Sequence, residues 1–381
     1  MDFALTEEQQ MVREMAARFA EAEIRPKAAH LDESHAHPAD IVRQLGELKM
    51  LGIAVPEEYG GGGMDYVSYA LALIEVSKGC ASTGVIMSVN NSLYCFPVYA
   101  YGTEAQKMEY LKPCASGEYL GCYGLTEAGA GSDPAGMRTT AVKDGDEWVI
   151  NGEKKFITNG NVARYAVIAA VTDKEKGYKG ISSFVMDLEN TPGFKVGRVE
   201  EKMGILASGT SELVFEDARL PADALLGNEG EGFKQMLTTL DGGRIGIASQ
   251  AIGIGRSVLE DAITYAKTRE QFGKPITAFQ AIQWKLADMA TELDAAELLT
   301  LRAAWLEDHK KPYEKEAAMA KMYASDAAMR ASVEGVQILG GYGYSKEYPM
   351  ERHMRDAKIC QIYEGTNEIM RLVVAKNLIK G

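Results

Sequence analysis

The chain has 381 residues, 46% hydrophobic and 25% charged, an ordinary balance for a globular protein with room for two or three domains. Its formal net charge of −13 argues against a nucleic-acid or anionic-membrane surface, which needs basic patches, but leaves room for an anionic ligand held by local N–H groups. Five cysteines without a CxxC pair and five histidines without a cluster point to no disulfide framework and no metal.

Met1 to Glu8 lacks the basic start and apolar run of a leader. No stretch approaches the roughly 20 apolar residues of a membrane span. The expectation is a cytoplasmic protein without membrane or nucleic-acid partners.

Residues 6 to 30 read as an amphipathic helix. Thr6 and Gln9 form a capping box, and Met11, Val12, Met15, Phe19 and Ala20 recur at helical spacing. A second helix spans 38–52, opened by Pro38 and closed by Gly52. The run Gly60-Gly61-Gly62-Gly63 lacks the strand and lysine of a phosphate loop and reads as a hinge or turn. Two further helices fill 65–80 and 86–118.

Composition changes near Gly121. Asn151-Gly152 stands between two apolar runs and predicts a hairpin turn. Tyr165 to Val171, Ser183 to Leu188 and Glu212 to Phe215 read as further strands, giving an antiparallel sandwich or barrel over about 121 to 226. Helix returns at Gly232, with Ile245 to Ala266 nearly apolar on most faces. Ala281 to Leu306 and Ala317 to Leu339 complete an antiparallel bundle. The fold class is α+β, in three domains: N-terminal helical (1–120), middle β (121–230) and C-terminal four-helix bundle (231–381). No GxGxxG opens a βαβ unit, so a dinucleotide is not held in the Rossmann manner.

The stretch Ile362-Tyr363-Glu364-Gly365-Thr366-Asn367-Glu368 sets a carboxylate between an aromatic and a glycine. Glycine permits close backbone approach to a ligand, and an apolar pocket raises a carboxyl pKa toward neutrality, as a general base requires. Taken alone, the stretch also reads as a solvated glutamate at a turn. Tyr123 to Ser132 likewise reads alone as a strand ending in a glycine-rich loop.

Four motifs together carry a resemblance. Tyr123-Gly124-Leu125-Thr126-Glu127-Ala128-Gly129-Ala130-Gly131-Ser132-Asp133 resembles one signature of the acyl-CoA dehydrogenases. Gln337-Ile338-Leu339-Gly340-Gly341-Tyr342-Gly343 with Tyr363-Glu364-Gly365-Thr366 resembles a second. Lys155-Phe156-Ile157-Thr158-Asn159-Gly160 and Thr268-Arg269-Glu270-Gln271-Phe272-Gly273 match in the expected order. The likeness spans the whole chain and is greatest to the bacterial short-chain, butyryl-CoA type.

That resemblance implies a homotetramer with one non-covalent FAD per subunit. It implies α,β-desaturation of an acyl-CoA thioester by α-proton abstraction and β-hydride transfer, with electrons leaving to an electron-transferring flavoprotein. Glu364 is then the base, its own N–H and Gly365 lying beside the thioester oxygen. Some relatives take the base from a glutamate just before the arginine of Asp241-Gly242-Gly243-Arg244; Gly243 stands there and cannot serve.

For the flavin, the resemblance implies Tyr123, Leu125, Thr126, Ser132, Phe156 and Thr158. Relatives often carry Trp where Phe156 stands. Arg269, Phe272, Gln280, Gln337, Gly340 and Gly341 would clamp pyrophosphate and adenine, partly from a neighbouring subunit. Thr366 and Glu368 would complete that site. Ser132, Asp241 and Arg244 would meet the acyl-CoA.

Residues 88–99 line the acyl end in relatives, and bulky Phe96 and Tyr99 predict a short or flat pocket for a short straight, branched or cyclic acyl group such as cyclohexanecarboxyl. Gly84 stands where decarboxylating glutaryl-CoA enzymes carry arginine, which disfavours a dicarboxylic substrate. Two other readings are a non-catalytic flavoprotein partner and an acyl-CoA oxidase. A colourless protein, or one whose flavin no acyl-CoA bleaches, marks the first; peroxide production marks the second.

Overall fold

In the computed structural model, which describes residues 4–380, the chain runs helix, sheet, helix. Met1 to Phe3, part of the terminus read above, and Gly381 lie outside the described residues. Among the described residues no helix is long and apolar enough to cross a membrane.

Thr6 and Gln9 cap the first helix reciprocally, as their spacing predicts. The helix expected over 6–30 is interrupted, however. It runs Glu7–Phe19, widens to a π-turn at Ala20–Ile24, tightens at Arg25–Lys27 around Pro26, and resumes at Ala28–Ser34. Proline removes one N–H donor and crowds the preceding turn, so the ladder changes pitch there. Helix Tyr66–Gly79 is buried along most of its length, and Asp308, from the C-terminal bundle, accepts from its Tyr66 and Val67 N–H groups.

The helix expected over 86–118 begins at Ala81 and is not continuous. Ala81–Ser88 passes into a π-segment, Val89–Cys95, then Phe96–Tyr101, and Gly102 ends it. Two buried amides explain the wide turns. Asn90 donates to Leu51 O and Cys114 O and accepts from Gly121 N–H; Asn91 accepts from Ile53 N–H and donates to Met50 O and Met87 O. Together they satisfy backbone groups of three neighbouring segments, which outweighs the less regular helix.

The sheet comprises β1 (Gly121–Gly124), β2 (Thr140–Asp144), β3 (Glu147–Thr158), β4 (Tyr165–Val171), β5 (Ile181–Asp187), β6 (Phe194–Val199), β7 (Thr210–Pro221) and β8 (Leu225–Leu226). The order is β6-β7-β3-β2-β4-β5-β8, with β1 on β4. Pairing is antiparallel except that β1 and the first residue of β2, Thr140, run parallel to β4. Trp148 meets Phe184 edge-on at 5.1 Å in the sheet's apolar face.

Asn151-Gly152 is not a hairpin turn. β3 passes straight through it, and the reversal into β3 lies at Gly145, with φ +64. Gly152 (φ +141) absorbs a bulge against β7, and a Cβ there would strike Thr139. Asn151 trades hydrogen bonds with Asp217 across the bulge. The dipeptide is spent on bending a long strand rather than reversing it.

The C-terminal bundle holds the 37-residue helix Gly232–Thr268, then Gln280–Asp308, Glu314–Leu339, the shorter Met350–Ile359, and Asn367–Lys380. A Cβ on Gly253 would strike Ile74 O, and one on Gly255 would strike Leu293. The long helix therefore packs closely on both the N-terminal helices and its bundle neighbours, and it spans the junction where the site forms.

Candidate active site

Glu364 lies in the connection between helices Met350–Ile359 and Asn367–Lys380, and its φ is +53. Gly365 follows at φ +98. A non-glycine residue rarely adopts left-handed φ, at a cost of about 1–2 kcal/mol, so the surroundings must hold it. Tyr363 does part of this by donating its hydroxyl to Gln250 on the long helix.

The turn aims the Glu364 carboxylate at the long helix. A Cβ on Gly243 would collide with its Oε2 and with Leu93. Although the residue as a whole is half-buried, Oε2 is enclosed and meets no hydrogen-bond donor among the described residues. Burial pushes the carboxyl up to about 8, against the opposing pull of Lys321 and Arg244. Tyr69 and Tyr123 share the enclosure; Tyr69 OH lies 3.2 Å from Ser88 Oγ, and Tyr123 OH has no partner among the described residues. Arg244, buried, pairs with Asp241, whose own carboxyl burial pushes up to about 7 despite that cation.

Beside this carboxylate, Tyr123 and Leu125 are buried at the end of β1 and Thr126 is half-buried. The loop is pinned from beneath: buried Lys154 donates to Leu125 O at 3.2 Å and to Glu127 Oε1 at 2.8 Å, while Glu127 accepts from Arg138 and Thr139 N–H. Phe156 projects from β3 with φ +59 and 63% of its surface exposed, and Thr158 follows half-buried. Glycines 129 and 131 have open space where a Cβ would stand. An exposed aromatic face, approachable backbone and an unspent tyrosine hydroxyl fit a flat-ringed, phosphate-bearing cofactor.

Profiles of the acyl-CoA dehydrogenase N-terminal, middle and C-terminal domains match residues 6–118, 122–218 and 230–379. The short-chain specific acyl-CoA dehydrogenase of Bos taurus mitochondria is 54% identical over 99% of this chain and 91% of its own length. Butyryl-CoA dehydrogenase from Megasphaera elsdenii superposes with a TM-score of 0.97 at 47% identity, covering both chains fully. A structure described as the electron transferring flavoprotein of Acidaminococcus fermentans contains a chain that matches at TM-score 0.99 and 50% identity, again over both full lengths.

The chain belongs to the acyl-CoA dehydrogenase family. It is an FAD-dependent oxidoreductase that dehydrogenates acyl-CoA thioesters.

In this acyl-CoA dehydrogenase the remaining expected site residues form a second, exposed group. The Arg269 guanidinium lies over the Tyr342 ring at 5.7 Å, and Phe272, 90% exposed with φ +54, meets Phe279 edge-on at 6.0 Å. Gln280 opens helix Gln280–Asp308, and exposed Gln337, Gly340 and Gly341 end Glu314–Leu339. None of these ring contacts involves Glu364 or Tyr123. Ser132 is exposed in its loop, Thr366 accepts weakly from Ile369 N–H at 3.4 Å, and Glu368 faces solvent.

In the segment 88–99, Tyr99 packs edge-on against Tyr59 at 6.0 Å beneath Lys107. Phe96 contacts Tyr101 at 6.5 Å, and the residue of this segment that reaches Gly243 and Glu364 is Leu93. Gly84 packs on Ser77, whose hydroxyl a Cβ would strike, and Ser88 of the same helix meets the Tyr69 hydroxyl at 3.2 Å.

Sequence reasoning missed Tyr69, Lys154 and Lys321. Lys321 carried a signal: it interrupts the alanine stripe Ala317, Ala320, Ala324, Ala328 at a helical position that must be buried.

Proposed function

We propose that the enzyme desaturates a short, straight acyl-CoA of the butyryl class, with Glu364 as the base that removes the α-proton. The observation that carries this reading is the enclosed, donor-free Oε2 of Glu364, aimed across Gly243 and held near neutrality by burial. A base so placed is ionised for part of the time at neutral pH and strongly basic when it is. The α-proton is weakly acidic, so charge growing on the thioester oxygen needs a donor. Among the described residues the Glu364 N–H has no acceptor of its own, which supports its use there.

FAD, when bound, supplies the hydride acceptor. Tyr123, Leu125, Thr126, Ser132, Phe156 and Thr158 would hold its ring and nearby phosphate; Phe156 excludes water from one face. Arg269, Phe272, Gln280, Gln337, Gly340, Gly341, Thr366 and Glu368 would hold pyrophosphate and adenine, with Arg269 offering a planar fork to phosphate. Asp241 and Arg244 would orient the acyl-CoA with Gly365. The exposed Phe272 and Trp284 support a homotetramer in which one subunit completes another's cofactor site. The likeness to a chain in the Acidaminococcus fermentans flavoprotein structure supports an electron-transferring flavoprotein as acceptor.

Short-chain preference rests on Leu93 closing the space beside Gly243 and on the names of the relatives from Bos taurus and Megasphaera elsdenii. Anaerobic mixing with butyryl-, hexanoyl-, isobutyryl-, glutaryl- and cyclohexanecarboxyl-CoA tests it. Fastest flavin bleaching by butyryl-CoA supports the reading, and fastest bleaching by any other thioester of the panel refutes it.

A further inference from the structure

Lys321 is fully buried in helix Glu314–Leu339, and it forms no ion pair with any described carboxylate. Its ammonium donates instead to Gly365 O at 2.7 Å and to Asn367 Oδ1 at 3.0 Å. Both acceptors belong to the segment that carries Glu364. Burying an ammonium costs several kcal/mol even after relaxation, and a lysine held only by neutral oxygens recovers that cost incompletely. A methionine would fill the same space at lower cost, so the charge has to act on something nearby.

Asn367 extends the contact. It exchanges hydrogen bonds with Ser325 and donates to Asp326 Oδ1, which also accepts from Gln361. The Gln361–Asn367 segment is thus tied at both ends to helix Glu314–Leu339, with Lys321 gripping it at Gly365, next to the left-handed Glu364.

We propose that Lys321 is a positioning residue for Glu364: its ammonium clamps the Gly365 carbonyl and Asn367 side chain, fixes the left-handed turn, and supplies a buried positive charge to the carboxylate. The charge half of this proposal rests on Glu364 being the base; the clamp does not. Lys321 is the foremost of the charges drawing the Glu364 carboxyl down, and burial holds Lys321 itself at about 8. The titratable and charged groups facing the pair are Arg244 on the long helix, Asp326 on Lys321's own helix, Cys360 and Tyr363 before the turn, and Tyr69 and Tyr123 across the enclosure.

The test uses the FAD-loaded full chain with Lys321→Met and Lys321→Gln, read by hydrogen exchange over 360–370 and by the pH profile of kcat/KM with butyryl-CoA. Lys321→Met should speed exchange across the turn about tenfold and move the ascending limb up by about one pH unit, because a cation near the carboxylate is lost. Lys321→Gln keeps donors without charge, so it should move the limb with a smaller gain in exchange. Native exchange and a native limb in both variants would overturn the proposal. Should Lys321→Met fail to assemble, Asn367→Ala keeps the charge and must raise exchange without moving the limb; unchanged exchange there removes the clamp. Glu364→Gln separates the two readings. If it retains turnover, the base assignment and the charge half fall together, and the exchange arm alone decides the clamp.

Discussion

The carboxylate of Glu364 occupies the space that a side chain at Gly243 would need. The two residues come from segments more than a hundred positions apart, and the long helix can support the base only because it has no Cβ at that point. Gly243→Ala should therefore push the carboxylate off its line to the α-carbon. A displacement of that kind costs about 10²-fold in turnover. Steady-state kinetics with butyryl-CoA check this, and near-native kcat would show that the carboxylate has another resting place.

Proton abstraction requires ionised Glu364, and burial holds that group at about 8. kcat/KM should consequently rise with pH through that value and level above it. A profile already flat at about pH 6 would place the essential base elsewhere.

The same shift has a consequence for stability. A carboxyl whose folded pKa lies above its unfolded value binds more protons when folded, so its stabilising contribution is full below the unfolded pKa and is lost as pH rises through about 8. Glu364→Gln removes that loss. The variant should melt higher than the parent, with a larger gain at about pH 9 than at about pH 5. Equal melting temperatures at both pH values would mean that the carboxyl is not desolvated.

Lys154 and Glu127 form a buried pair beneath the Leu125–Ala130 loop. Removing one member strands the other's charge, and Lys154→Met should cost about 3–5 kcal/mol. The loop should also loosen, visible as FAD lost on gel filtration. Denaturant unfolding with native stability would contradict this.

Leu93→Ala should open the acyl end and raise the hexanoyl-to-butyryl ratio of kcat/KM about tenfold, the worth of roughly one or two methylenes. Tyr99→Ala should leave that ratio unchanged, since Tyr99 packs on Tyr59 at the surface. A shift with Tyr99 and none with Leu93 would reverse the placement.

Much of this architecture was legible in the residues. The Thr6–Gln9 capping box and the helix from Gly232 declare themselves through local chemistry; the aromatic–Glu–Gly stretch at 363–365 reads alone as a solvated turn as well, and becomes a site only with the motifs elsewhere in the chain. What stayed hidden depends on distant partners. Asn151-Gly152 reads as a turn until β7 and Thr139 are known to need a bulge there. The π-segment Val89–Cys95 follows from two amides serving Leu51, Ile53 and Gly121, which no window around them reveals. Lys321 stands out in the sequence only as a break in a buried alanine stripe, and what its ammonium grips is known only once Gly365 and Asn367 return against it.

The central claim is that the Glu364 carboxylate takes the proton. Anaerobic stopped-flow mixing of FAD-loaded Glu364→Gln with butyryl-CoA tests it most directly, because binding and flavin reduction are read separately. The expected result is thioester binding with flavin bleaching slowed at least about 10²-fold; bleaching at the parent's rate would contradict the assignment.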